Sequence, residues 1–117
     1  MLFPLIGKRL HGWLDDLVVL IYLGGAFGLG FRGAALTIAL GGAAIHFLLT
    51  RLTDYPQGTL KLIPFRTHAF VVLGEGLTVA TATLVVASGH PPLHRLFLCA
   101  MGVSQFAAFA LSDYGPE

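Results

Sequence analysis

The stretch AFVVLGEGLTVATATLVVAS, residues 69–88, is the clearest guide to the fold of this chain. It carries a single charged residue, Glu75, in about twenty positions, the length that a helix needs to cross about 30 Å of hydrocarbon. The rest of the chain is similar: its 117 residues have a mean hydropathy of +0.80, with 56% hydrophobic and 11% charged residues. A soluble domain of this size buries too little surface to hide so much apolar material, so we predict a membrane protein.

Three further apolar segments of similar length complete the predicted spans: Trp13–Phe31, Ala34–Thr50 and Leu93–Leu111. A Gly-Phe-Arg-Gly break separates the first two spans, and the prolines at 91 and 92 separate the last two. Only the connection 51–67 is of any length. The predicted fold class is therefore an all-α membrane protein with four transmembrane helices in a single domain, 1–117.

Basic residues are distributed unequally between the two sides of the predicted bundle. The two hairpin tips contain only Arg32 and Arg95, whereas the amino terminus and the middle connection contain Lys8, Arg9, Arg51, Lys61 and Arg66. Because basic residues favour cytoplasmic loops, we expect both termini in the cytoplasm and the protein in the plasma membrane.

The two halves of the chain resemble each other. LIGKRLH at 5–11 recurs as LIPFRTH at 62–68, and LTDY at 52–55 recurs as LSDY at 111–114. These matches predict two repeats, about 5–57 and 62–117, each with two spans. Since two spans return the chain to its starting side, both repeats enter the membrane from the same face, as two parallel helical hairpins.

Several of these pieces resemble the SPW-repeat integral membrane proteins. They are HGWLD at 11–15, LTDY at 52–55, KLIPF at 61–65 followed by His68, and LSDY at 111–114. The Ser-Pro-Trp tripeptide itself is absent, since Gly25-Ala26-Phe27 and Ser88-Gly89-His90 stand in its place, so the chain resembles a divergent member. The resemblance covers nearly the whole chain and implies the fold, but no activity.

Polar residues within the spans form one predicted cluster on the cytoplasmic side. Each ionisable residue costs about 2.5–3.5 kcal/mol at a membrane helix centre and therefore faces a protein interior or water. Asp15 lies one helical turn after His11, and Glu75 lies two turns after His68, so each pair shares a helix face. The full set of candidates is His11, Asp15, His46, Arg51, His68, Glu75 and Gln105.

The residues alone leave several interpretations of this cluster open. The side chains can simply join neighbouring helices by hydrogen bonds. They can also carry protons or small ions, or bind haem or quinone through His46 and Glu75, or act as acids on a lipid-soluble substrate. We expect no cofactor and no catalytic residue, because no enzyme motif is present. We also predict no metal site, since Pro91-Pro92 interrupts the spacing between His90 and His94.

Glycines are numerous in the spans and indicate close helix packing. Gly24 and Gly28 have the GxxxG spacing, and Gly41 and Gly42 lie together in the second span. The predicted function is therefore a small non-catalytic membrane module that acts through assembly, as a homo-oligomer or an accessory subunit in the lipid bilayer. The alternative is a small proton, ion or redox protein that uses the cluster. A net charge of +1 gives no reason to expect nucleic acid as a partner.

Overall fold

The computed structural model describes residues 5–86 and 89–114 of the chain. These residues form four α-helices: α1 (Lys8–Gly28), α2 (Gly33–Leu52), α3 (Phe65–Val86) and α4 (Pro92–Leu111). Each helix is long and apolar enough to cross a membrane. The predicted all-α, four-helix membrane fold is confirmed.

Two helices begin earlier than the predicted spans. α1 begins at Lys8 rather than Trp13, and α3 begins at Phe65 rather than Ala69. The reason is that the sequence bounds follow apolar residues alone, whereas the first turns of both helices also contain polar residues, among them His11 in α1 and His68 in α3. The predicted end of the third span, Ser88, lies outside the described residues, as do the final residues of the predicted second repeat, 115–117.

A glycine ends α1 and turns the chain into α2. Gly30 has a positive φ of 69°, which a side chain would disfavour. This conformation lets the Phe31 amide donate to the Ala26 carbonyl oxygen at 2.8 Å, the bond that closes a Schellman motif. The tight turn brings α2 back alongside α1.

The helices pack as two hairpins, α1 with α2 and α3 with α4, which meet mainly across α2 and α3. We call the side of the bundle with residues 5–7, 53–64 and 112–114 the loop end. The opposite side, with residues 29–32 and 89–91, is the hairpin end. This arrangement places both termini of the described chain and its longest connection at the loop end.

Backbone pairing at the loop end ties each hairpin to the start of the other. Short bridges run in parallel between Thr53 and Ile63 and between Ile6 and Ser112. At the first bridge, the amides of Leu62 and Ile63 donate to the Leu52 carbonyl oxygen and the amide of Asp54 donates to that of Ile63, all at 2.8 Å. At the second bridge, the amides of Leu5 and Ile6 donate to the Leu111 carbonyl oxygen at 2.9 and 3.0 Å, and the amide of Asp113 donates to that of Ile6 at 2.8 Å. The end of each predicted repeat thus pairs with the beginning of the other.

Glycines bring the helices of each hairpin close together. A Cβ atom at Gly76 of α3 would lie 2.8 Å from the Gly102 carbonyl oxygen of α4, and one at Gly102 would lie 2.6 Å from that of Gly76. In the other hairpin, a Cβ atom at Gly42 would lie 2.9 Å from the Tyr22 ring. These crossings leave no room for a larger residue without displacement.

The bundle interior is apolar towards the hairpin end and polar towards the loop end. The apolar cluster is built of small and aromatic side chains: Tyr22, Ala26, Phe31, Ala35, Ala39, Ala43, Val79, Leu98 and Met101. Towards the loop end, the buried side chains of the helices include three histidines and one carboxylate: His11, His46, His68 and Asp15. The candidate site therefore lies towards the loop end of the bundle.

Candidate functional site

Three helices supply the centre of the site. α1 provides His11 and Asp15, one turn apart on the same face, α2 provides His46, and α3 provides His68. All four side chains are buried, with at most 3% of any residue exposed. A group of ionisable residues so shielded from solvent must satisfy its own hydrogen bonds and charges.

Asp15 is the hub of the site. Its Oδ1 atom lies 2.9 Å from Nε2 of His46, and its Oδ2 atom lies 2.8 Å from Nε2 of His68. Oδ2 also accepts a hydrogen bond of 2.8 Å from the Tyr55 hydroxyl, and Nε2 of His11 lies 3.4 Å away. One carboxylate therefore joins α1, α2, α3 and the connection 53–64.

His46 bridges two carboxylates. Its Nε2 faces Asp15, and its Nδ1 lies 2.6 Å from Oε2 of Glu75 on α3. Gln105 of α4 donates from Nε2 to the same Glu75 oxygen at 3.3 Å. Since a neutral imidazole has only one N–H, His46 can donate to both carboxylates only as an imidazolium cation. All four helices contribute to this connected network.

The outer nitrogens of the other two histidines contact hydroxyl groups. Nδ1 of His68 lies 2.7 Å from Oγ1 of Thr53, and Nδ1 of His11 lies 2.6 Å from Oγ of Ser112. Each hydroxyl comes from the opposite hairpin, at the residue where α2 or α4 ends. The two contacts have the same form in both halves of the chain.

Aromatic rings cover the site on its loop side. Phe65 meets the His11 ring edge-on, with centroids 4.9 Å apart, and Tyr114 lies 5.3 Å from Phe65. Tyr55 is buried, and this burial, together with the charge of Asp15, raises the pKa of its hydroxyl well above the usual range. Tyr55 therefore remains a hydrogen-bond donor to Asp15 at any physiological pH.

The seven predicted cluster residues do not all meet. His11, Asp15, His46, His68, Glu75 and Gln105 lie together, as described above. Arg51 instead forms an ion pair with Asp16, and its guanidinium lies 5.5 Å from the Phe47 ring centroid. Both charged groups are about one-third exposed, so this pair lies at the bundle surface.

Sequence reasoning misses three members of the site: Thr53, Tyr55 and Ser112. All three belong to the repeated LTDY and LSDY stretches, whose recurrence indicates only that they lie at one membrane face. Their polar side chains, recurring at matched positions where helices end, are the available signal. What the sequence does not show is that the hydroxyls of Thr53 and Ser112 contact a histidine of the opposite half, whereas that of Tyr55 contacts Asp15.

The four predicted packing glycines lie in two different environments. Gly42 packs against Tyr22 inside the first hairpin. Gly24, Gly28 and Gly41 face outward, since a Cβ atom added at any of them would have no neighbour within 4 Å. The glycines that pack between helices also include Gly25, which faces Phe97, and the pair described above in the second hairpin.

Both nitrogens of His46 are engaged by carboxylates, so neither is free to ligate a haem iron in this arrangement. The site can hold charge, share protons between its members, and offer imidazole and carboxylate ligands to a cation. A scan against models of known protein families gave no match. Searches of curated proteins and of solved structures likewise gave no match.

Proposed function

We propose that this chain is a non-catalytic membrane module that acts by assembling with a second copy of itself through α1. The observation that carries the proposal is the outward position of Gly24 and Gly28, which have open space around them. Gly25, Gly42, Gly76 and Gly102 instead pack against other helices, and although Gly41 and Gly74 also have open space, they do not form a GxxxG pair on one helix. Neither glycine of this GxxxG pair packs against another helix of the described bundle.

Physical reasoning supports this use of the α1 face. Lipid tails are as apolar as leucine, so membrane helices associate through close packing, and small residues permit it. The two glycines lie one turn apart beside the exposed side chains of Leu20 and Phe27. The same face on two copies would form a self-complementary interface with twofold symmetry.

We further propose that the chain arose by duplication of one hairpin. The reciprocal backbone pairs at the loop end and the matched contacts of His11 with Ser112 and of His68 with Thr53 support it. The resemblance to the SPW-repeat proteins agrees with a repeated unit. The excess of basic residues at the loop end supports a cytoplasmic position for both termini, in the plasma membrane.

The arrangement of the polar network gives less support to transport across the membrane. Its connected side chains extend from the loop end to Glu75 and Gln105. Beyond them, the described core towards the hairpin end is apolar, and the hydroxyl of Thr83 donates to its own helix at 2.7 Å. A proton could move within the network, but the described residues provide no polar route onward.

Association of fluorescently labelled chains in lipid bilayers, measured by energy transfer at varied protein-to-lipid ratios, tests the assembly proposal. Wild-type chains should associate, and Gly24→Leu with Gly28→Leu should weaken the association at least about tenfold, because leucine separates the helices. Gly41→Leu is the matched control, since this glycine also faces outward but lies on α2. Monomeric wild type, or equal association of the double variant, would contradict the proposal.

A further inference from the structure

The hydroxyl groups of Thr53 and Ser112 determine which ring nitrogens of His68 and His11 carry protons. Oγ1 of Thr53 is 2.6 Å from the Leu49 carbonyl oxygen as well as 2.7 Å from Nδ1 of His68. A carbonyl oxygen can only accept, so the one hydroxyl proton of Thr53 is donated to Leu49. The Thr53 oxygen must then accept from His68, which therefore carries a proton on Nδ1.

The second half repeats this arrangement. Oγ of Ser112 is 2.5 Å from the Ala108 carbonyl oxygen and 2.6 Å from Nδ1 of His11. By the same count of protons, His11 carries a proton on Nδ1. In the neutral form of each ring, the Nε2 atom then presents a lone pair, and both of these atoms face the same carboxylate.

Lone pairs that face a carboxylate require a positive species between them. Nε2 of His68 lies 2.8 Å from Oδ2 of Asp15, and Nε2 of His11 lies 3.4 Å from it. Neither Nε2 atom has a hydrogen-bonding partner of acceptable geometry among the described residues. The species is either additional protons or one metal ion, and the positions of the three atoms allow the two to be compared.

We propose that His11, Asp15 and His68 bind a divalent transition-metal ion. Their three ligand atoms lie within 4.8 Å of one another. Metal–nitrogen and metal–oxygen bonds of about 2.0–2.2 Å at tetrahedral angles place ligand atoms about 3.4 Å apart. The distance from Nε2 of His11 to Oδ2 of Asp15, 3.4 Å, matches this value, and the distance from Nε2 of His68, 2.8 Å, must lengthen for the same ion to bind all three atoms.

The surroundings of these three residues match those of a metal centre. Metal-bound histidines usually donate their other nitrogen to a fixed acceptor, as His68 does to Thr53 and His11 to Ser112. Tyr55 and His46 similarly hold the Asp15 carboxylate. Two imidazoles and one carboxylate suit zinc, iron(II) or cobalt(II), and three protein ligands leave a position open. With His46 as an imidazolium cation, Asp15 and Glu75 leave one net negative charge in the site, which a bound cation also offsets.

Cobalt(II) binding to the full chain in lipid nanodiscs, after treatment with a chelator, tests this site. The expected result is one cobalt ion per chain, with the visible absorption of a four- or five-coordinate site and displacement by zinc. His11→Gln and His68→Gln should each bind at least about tenfold more weakly, and Thr53→Val, which keeps all three ligands, about 10–100-fold more weakly. His90→Gln with His94→Gln is the control and should bind normally, because these residues lie at the hairpin end.

Wild-type protein that binds neither cobalt nor zinc would overturn the proposal and leave protons as the positive species. Loss of binding in the His90 and His94 control, with binding retained in His68→Gln, would also overturn it. Circular dichroism establishes that each variant is folded. If the ligand variants do not fold, X-ray absorption of the zinc-loaded wild type decides, since the proposal requires two imidazole ligands in the first coordination shell.

Discussion

The two hairpins are alike in their backbone contacts and unlike in their buried chemistry. At the loop end, the contact of His11 with Ser112 matches that of His68 with Thr53, and the backbone bonds beside them match as well. One layer deeper, the offset of 57 residues between the beginnings of the predicted repeats aligns Asp15 with Val72. The same offset aligns Glu75 with Val18, whereas the offset of 59 residues that relates the ends of the two halves aligns His46 with Gln105.

The fold and the site therefore depend on different residues. Matched pairs of a histidine and a hydroxyl join the two hairpins in the same way at two places. Asp15 and Glu75 have no acidic counterpart in the other half, and each lies against a histidine of another helix. The carboxylates at the centre of the bundle therefore occupy positions that differ between the two halves. Substitutions at these positions should lower the free energy of unfolding more than substitutions of the matched histidines and hydroxyls.

The largest effect is expected for Asp15→Ala. Removing the hub carboxylate leaves three buried histidines without their shared partner, which should lower the free energy of unfolding by about 3–5 kcal/mol. Asp16→Ala is the matched control, because its ion pair with Arg51 is partly exposed and should contribute at most about 1 kcal/mol. Unfolding in mixed micelles, followed by circular dichroism, measures both, and equal losses would show that Asp15 is not the hub of the network.

A smaller and unequal effect is expected for the matched tyrosines. Tyr55→Phe removes a donor to a carboxylate and should cost about 1.5–3 kcal/mol, whereas Tyr114→Phe removes a bond to the Phe109 carbonyl and should cost about 0.5–1.5 kcal/mol. The same unfolding measurement compares them. A loss for Tyr114→Phe as large as that for Tyr55→Phe would mean that Asp15 does not distinguish the two halves.

The Tyr55 hydroxyl also implies a dependence of stability on pH. Because burial and Asp15 raise its pKa in the folded protein, the folded state retains this proton when the unfolded state has lost it. Its contribution is complete below the unfolded pKa of about 10 and is lost as the pH rises above that value. Wild type should therefore lose more stability than Tyr55→Phe between neutral pH and alkaline pH, and parallel losses would contradict the assignment.

The smallest effects are expected in the matched layer, where they should be equal. Thr53→Val and Ser112→Ala each remove a hydroxyl that contacts a histidine and should each cost about 1 kcal/mol. Thr78→Val is the control, since its exposed hydroxyl bonds only to its own helix, at Gly74. A several-fold difference between Thr53→Val and Ser112→Ala, measured by unfolding, would break the correspondence between the halves.

The sequence is sufficient to predict the helices and much of the polar network. Long apolar segments specify spans, and the spacing of His11 with Asp15 and of His68 with Glu75 places each pair on one helix face. Ionisable residues inside spans must also face protein, and this requirement alone predicts that His46 joins the same cluster.

The rotation of each helix about its axis cannot be predicted from the sequence. Every face of these helices is largely apolar, so hydrophobic periodicity does not separate lipid from core. Gly41 and Gly42 are adjacent, yet one faces outward and the other packs on Tyr22. Arg51 similarly turns towards Asp16 at the surface. Contacts such as that of Ser112 with His11 join residues 101 positions apart, and no local pattern reports them.

Asp15 of the first hairpin and His68 of the second meet at the centre of the site, where Oδ2 and Nε2 lie 2.8 Å apart. A double-mutant cycle with Asp15→Asn, His68→Gln and the combined variant, followed by unfolding in micelles, measures this contact. The expected coupling energy is about 1–3 kcal/mol, as found for residues that share one polar network. Additivity of the two substitutions within about 0.3–0.5 kcal/mol, the behaviour of distant sites, would show that the contact does not join the hairpins.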